Sequence, residues 1–141
     1  MGVEALRAEL LDQALPMPRR FRALFGLRSV GGEAAVQALL DSLKDPSALF
    51  RHEVAFALGQ MQVTSAVATL KAVLRDEGEH SMVRHEAAEA LGAIASEEAE
   101  AALRAFVGDE DPIVAQSCEV ALDVLDAERT GEDYVAALPE A

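Results

Sequence analysis

Arg51-His52-Glu53-Val54-Ala55-Phe56-Ala57-Leu58-Gly59 returns 33 residues later as Arg84-His85-Glu86-Ala87-Ala88-Glu89-Ala90-Leu91-Gly92. Imidazoles and carboxylates are the donors from which many metal centres and proton-transfer sites are built. Two copies in equivalent places on neighbouring helices can bring His52, His85, Glu53 and Glu86 to one spot. Packed helices lie about 8–10 Å apart, a gap that two imidazoles can span to one ion at about 2.1 Å each. Two His and one carboxylate leave positions open on the metal, the donor set of oxygen-activating non-haem iron. Zinc accepts the same donors, so spacing alone does not choose the metal. One chain offers enough donors for one ion and is marginal for two, whereas a two-fold dimer doubles the set at its axis.

A single His-Glu pair on a helix is ordinarily a solvated surface pair. Duplication in the middle of the chain, with Phe21-Arg22 and Gln116-Ser117 standing at the matching outer positions, points instead to a shared task. His80 has no repeat mate and reads as a solvated loop residue. Cys118 is the sole cysteine, which excludes an intramolecular disulfide and a cysteine-based zinc site. It reads as a small hydrophobe, and its solitude fits a reducing, cytoplasmic setting.

The elements that must position these residues follow from the period. A repeat in the low thirties means stacked helical hairpins. Apolar spacing predicts helices over 3–15, 18–30, 33–44, 48–61, 65–75, 81–95, 97–107 and 112–128. The fold class is therefore all-α, an α-solenoid of about four hairpins and eight helices. Its repeats span about 3–30, 33–61, 64–95 and 97–128 within a domain of 1–128, and residues 129–141 form a loose tail or one that lies over a neighbouring surface. Asp45 or Ser47 is expected to cap the fourth helix and Ser81 the sixth. Leu6, Leu10, Leu11, Phe25 and Val30 are expected on inward faces. The small residues of the repeated phrase allow close helix approach.

Of the 141 residues, 51% are apolar and only 4% aromatic, so the core is aliphatic. The net charge of −13 opposes nucleic-acid binding, since phosphates are repelled, and suits a basic or amine-bearing partner. No run approaches the ~20 apolar residues of a membrane-spanning helix, and the N-terminus lacks a secretory apolar segment.

The phrases Arg20-Phe21-Arg22-Ala23-Leu24-Phe25, Ser47-Ala48-Leu49-Phe50-Arg51-His52-Glu53, Met82-Val83-Arg84-His85-Glu86 and Ser117-Cys118-Glu119-Val120-Ala121-Leu122-Asp123 resemble those of deoxyhypusine hydroxylase, a HEAT-repeat di-iron monooxygenase. Phycobilisome-lyase-like repeats share Ala-Leu-Gly but not the paired His-Glu. The resemblance implies a HEAT-like solenoid that binds Fe2+ and uses O2 to hydroxylate the deoxyhypusine side chain of a translation factor. It implies His52, His85 and Glu86 as iron ligands, Glu53 facing the cationic amine of the substrate, and Met82 lining the pocket. The family's usual chain has two halves facing each other across the iron centre, and this sequence corresponds to one half. A homodimer would rebuild the whole, with two ions per dimeric centre, or one per chain. The alternatives are a non-catalytic HEAT-type interaction module and a phycobilisome-lyase-like repeat protein.

Overall fold

The computed structural model describes residues 2–131. Of the expected tail, residues 132–141 lie outside the described residues, and Arg129 and Thr130 belong to the last helix. Eight α-helices follow one another among the described residues: α1 (Val3–Leu11), α2 (Met17–Val30), α3 (Glu33–Asp41), α4 (Ala48–Met61), α5 (Val67–Arg75), α6 (Ser81–Ile94), α7 (Glu97–Ala105) and α8 (Pro112–Thr130). Short 3-10 turns cover Ser42–Lys44 and Thr64–Ala66. The even-numbered helices pack side by side, α2 on α4, α4 on α6 and α6 on α8. The odd-numbered helices flank them, with α1 on α3 and α5 on α7. The architecture is the expected all-α solenoid, without strands among the described residues. None of their helices is long and apolar enough to cross a membrane.

Local chemistry sets the helix ends. The first helix stops at Leu11, short of the expected residue 15, because Asp12 Oδ1 accepts from the Ala14 amide and makes a side-chain turn. The third tightens into a 3-10 turn where the Ser42 hydroxyl donates to the Leu39 carbonyl at 2.7 Å. Ser47 caps α4 by accepting from Phe50, while Asp45 accepts from the Ser47 amide just outside. The cap of α6 is His80 rather than Ser81: its Nδ1 accepts from the Met82 amide, and the Ser81 hydroxyl donates instead to Asp111. Helices α4 and α6 end on the left-handed residues Gln62 (φ 54°) and Ala95 (φ 60°), positions at which glycine is the usual choice.

The core is aliphatic, with Leu24, Leu39, Leu58, Leu70, Leu91 and Leu103 fully buried and Phe50 the large aromatic among them. Leu6 and Leu10 point inward as expected, but Leu11, Phe25 and Val30 are exposed. The arginine that opens the repeated phrase is structural. Arg20 donates twice to the Leu10 carbonyl and at 2.6 Å to Asp45. Arg84 donates to the Leu74 carbonyl and makes a two-pronged pair with Asp109. Both carbonyls belong to the final turns of first helices, α1 and α5, where intrahelical donors run out. Arg51 forms the middle clamp, to the Asp45 carbonyl and the Glu79 carboxylate. Each guanidinium thus ties its own helix to a preceding segment and to the loop that follows.

The even-numbered helices touch almost backbone to backbone. A Cβ at Gly59 would stand 2.9 Å from Ala90 Cα, and one at Gly92 would stand 3.0 Å from Ala121 Cβ. Gly59→Val is therefore expected to lower the urea-unfolding free energy by about 1–3 kcal/mol through overpacking. Gly108→Ala, where a Cβ meets nothing within 4 Å, is expected to stay within about 0.5 kcal/mol of the parent. Equal effects from the two substitutions would contradict this packing.

Candidate metal centre

The close approach of α4, α6 and α8 decides which side chains meet. Gly59 lies on Ala90, so α6 runs against α4 with His52 opposite Glu86. His52 Nε2 is 3.1 Å from Glu86 Oε1, and His85 Nε2 is 3.7 Å from the same oxygen. Two imidazoles from two helices thus converge on one carboxylate. Glu53 also joins the cluster, its Oε1 3.4 Å from His52 Nδ1 but off the line of a hydrogen bond. The structure therefore brings His52, Glu53, His85 and Glu86 to one face.

Two further residues escaped the sequence reading. Glu89 stands one turn beyond His85, with its Oε1 3.4 Å from His85 Nε2. His85, Glu86 and Glu89 each offer a donor atom within 4.8 Å of the others, a spacing that one cation can bridge. The signal was present as an i, i+4 pair on one helix face, but Phe56 occupies the matching place in the preceding repeat and hid it from a search for duplicates. Ser117, which holds the Glu position in the last repeat, lies 2.6 Å from His85 Nδ1.

Glu86 is the electrostatic centre of the group. Its side chain is only 9% exposed. Burial pushes its carboxyl above the ordinary carboxylate value; the nearby Glu89 charge adds to the shift, and His52 and His85 oppose it. Its Oε2 and the Nδ1 of His52 are buried without a hydrogen-bond partner. An unpaired buried carboxylate oxygen beside two imidazoles is what a cation would satisfy, because such a group costs about 1–3 kcal/mol or more when left alone. The donor set, two imidazoles and two to three carboxylates, fits a divalent transition metal and suits iron, zinc or manganese.

A groove of about 640 Å³ opens beside His85 and Glu89, with apolar walls from Ile113, Val120 and Val124 and polar ones from Gln62 and Gln116. A smaller hollow of about 250 Å³ adjoins Glu86 and Glu89, next to Phe56 and Gln60. Met82 is exposed in the first turn of α6, three residues before His85, and is not part of either wall. His80 is exposed and serves as a helix cap. Cys118 is buried, outside the His-Glu cluster.

A sequence profile for HEAT repeats matches residues 3–80 and 36–123. The chain is 60% identical over 133 residues to a protein of Arabidopsis thaliana named deoxyhypusine hydroxylase, covering 94% of this chain and 42% of that one. It is 49% identical over 138 residues to the Schizosaccharomyces pombe protein of the same name, covering 98% and 43%. The solved structure of human deoxyhypusine hydroxylase in complex with glycerol superposes with a TM-score of 0.86 at 51% identity, over 89% of this chain and 43% of that one. This chain therefore spans less than half the length of the relatives it matches.

Burial pushes the Cys118 thiol up to about 11, with the Asp109 charge adding to the shift. A disulfide reagent at pH 8 is expected to leave the native protein unlabelled and to titrate the thiol only after denaturation in guanidinium chloride, since the thiolate is the reactive form. Rapid labelling of folded protein would contradict the buried placement.

Proposed function

The chain belongs to the HEAT-repeat family, and from that premise we propose that it is an iron-dependent monooxygenase of the deoxyhypusine hydroxylase type. The observation that carries the proposal is the convergence of His52 Nε2 and His85 Nε2 on a single oxygen of Glu86. A structural role does not require two imidazoles from two helices to face one buried carboxylate. His52, His85 and Glu86 would hold the metal, with Glu89 as a further donor at its exposed side. When bound, ferrous iron supplies the activation of O2 that insertion into an unactivated C–H bond needs.

The chain's own residues do the rest. Glu53 keeps a partly buried carboxylate at the rim of the cluster, 27% exposed, and would pair with the cationic amine of a deoxyhypusine side chain. Ile113, Val120 and Val124, which line the groove beside His85, would meet the alkyl part of that side chain in place of Met82. The apolar groove walls would exclude water from the reacting carbon. A net charge of −13 would favour the approach of a cationic side chain, as the deoxyhypusine residue of the translation factor carries.

A symmetric homodimer would complete the site. The groove beside the cluster exposes Ile113 by 45%, Val120 by 63% and Val124 by 39%, an apolar surface placed against the metal donors. A second copy would cover it and bring a second His-Glu cluster to the axis, giving one ion per chain and two per dimer.

Anaerobic loading with ferrous iron, followed by elemental analysis, is expected to find stoichiometric metal in the parent chain. His52→Ala and His85→Ala should each lose most of it at unchanged helicity. Glu53→Ala should keep the iron and bind the deoxyhypusine-bearing factor more weakly. Light scattering should return the mass of a dimer. A parent chain that takes up no iron would remove the enzyme and leave a HEAT-type interaction module or a phycobilisome-lyase-like protein. A strict monomer would remove the shared centre.

A further inference from the structure

The last repeat carries no His-Glu pair, yet its residue at the Glu position reaches the cluster. Ser117, 8% exposed on α8, has its hydroxyl oxygen 2.5 Å from the Ile113 carbonyl and 2.6 Å from His85 Nδ1. A hydroxyl has one proton. A carbonyl can only accept, so the 2.5 Å contact is attractive only if that proton points at Ile113. The hydroxyl oxygen must then accept from His85, and Nδ1 must carry a proton. The reverse assignment would leave two oxygen lone pairs facing each other at 2.5 Å.

We infer that Ser117 is a positioning residue that holds His85 in its Nδ1–H form and so turns the Nε2 lone pair toward Glu86 and Glu89 as a metal donor. Such an outer partner fixes both the tautomer and the ring plane of a ligating imidazole. Nε2 lies 3.7 Å from Glu86 and 3.4 Å from Glu89, so a neutral His85 in this form opposes a lone pair to two carboxylates. A cation between them converts that repulsion into coordination. His52 has no counterpart to Ser117, and its Nδ1 is buried without a hydrogen bond. The two imidazoles are thus unequal: His85 has a hydrogen-bond partner at Nδ1 before metal arrives, and His52 has none there. The ligand role rests on the metal-binding proposal above, whereas the tautomer does not.

Two-bond nitrogen–proton correlation spectra of the metal-free full chain, recorded at a pH where imidazole is neutral, read the tautomer directly. His85 can be assigned by comparison with His52→Gln and His80→Gln. The parent is expected to show His85 protonated at Nδ1. Ser117→Ala should shift it toward the Nε2–H form that free imidazole prefers, and Ser117→Thr should keep the Nδ1–H form. Titration with Co2+ alone should weaken by roughly 10–100-fold in Ser117→Ala and recover in Ser117→Thr. An Nε2–H signal in the parent would overturn the inference, even if the alanine variant failed to fold. An unchanged tautomer in folded Ser117→Ala would also overturn it. If the tautomer behaves as stated and no variant binds Co2+, the clamp stands and the metal reading falls.

Discussion

The constraint on which the structure depends is the near-contact of backbones where Gly59 meets Ala90 and Gly92 meets Ala121. Helices this close have no room for side chains between them along that line, so the close contacts set the register of α4, α6 and α8. That register places the residue at the His position of one repeat opposite the residue at the Glu position of the next. His52 therefore meets Glu86, and His85 meets Ser117, although each pair is more than thirty residues apart in sequence. Larger residues at Gly59 or Gly92 would push the helices apart and separate the donors. Packing and site are one arrangement, and the Ala-Leu-Gly of the repeated phrase serves the His-Glu that precedes it.

Charges elsewhere in the fold are matched with care, which makes the exception informative. Arg20 and Arg84 are buried, and each has both a carbonyl and a carboxylate to satisfy it. Asp109 is held below its ordinary value by the Arg84 guanidinium. The hydroxyls of Ser42 and Ser117 donate to carbonyls in their own helical turns. Against that background Glu86 keeps a buried oxygen with no donor, and burial disfavours its charge. Buried polar groups are paired wherever folding alone decides. A local departure inside an otherwise satisfied structure marks a place shaped for something other than stability.

Much of this was legible in the chain. The 33-residue offset announced a repeat, and the apolar spacing set eight helices whose core-facing leucines, Leu11 apart, include the buried Leu6, Leu10 and Leu39. The His-Glu doublets were visible because duplication distinguishes a pattern from noise. Helix ends were less legible. Asp12 ends α1 by a side-chain turn short of residue 15, and Gln62 and Ala95 take left-handed caps that their residue types do not advertise. Phe25 and Val30 share the apolar spacing of the core leucines and are nonetheless exposed, because periodicity marks a helix face without saying what packs on it. Glu89 and Ser117 were hidden for the opposite reason to the doublets: neither is repeated. A search for recurrence finds what the repeats share and misses what one repeat contributes once.

The same asymmetry bears on how many ions one chain can hold. The rule that a His position meets the next Glu position would, if continued, give a metal-sized cluster at every step of the solenoid. It is interrupted at both ends. Phe21 holds the His position before Glu53 and stacks on Phe50, its ring centroid 5.7 Å away, so Glu53 receives no imidazole from the preceding repeat. Ser117 holds the Glu position after His85 and offers a neutral hydroxyl in place of a carboxylate. One carboxylate, Glu86, is left between two imidazoles, and one, Glu53, stands at the edge with only its own neighbour. On the proposed reading this division separates two tasks that need carboxylates of opposite character. The buried, doubly attended Glu86 suits a metal, whose charge repays desolvation. The more exposed Glu53, at the edge of the cluster, suits an arriving ammonium group.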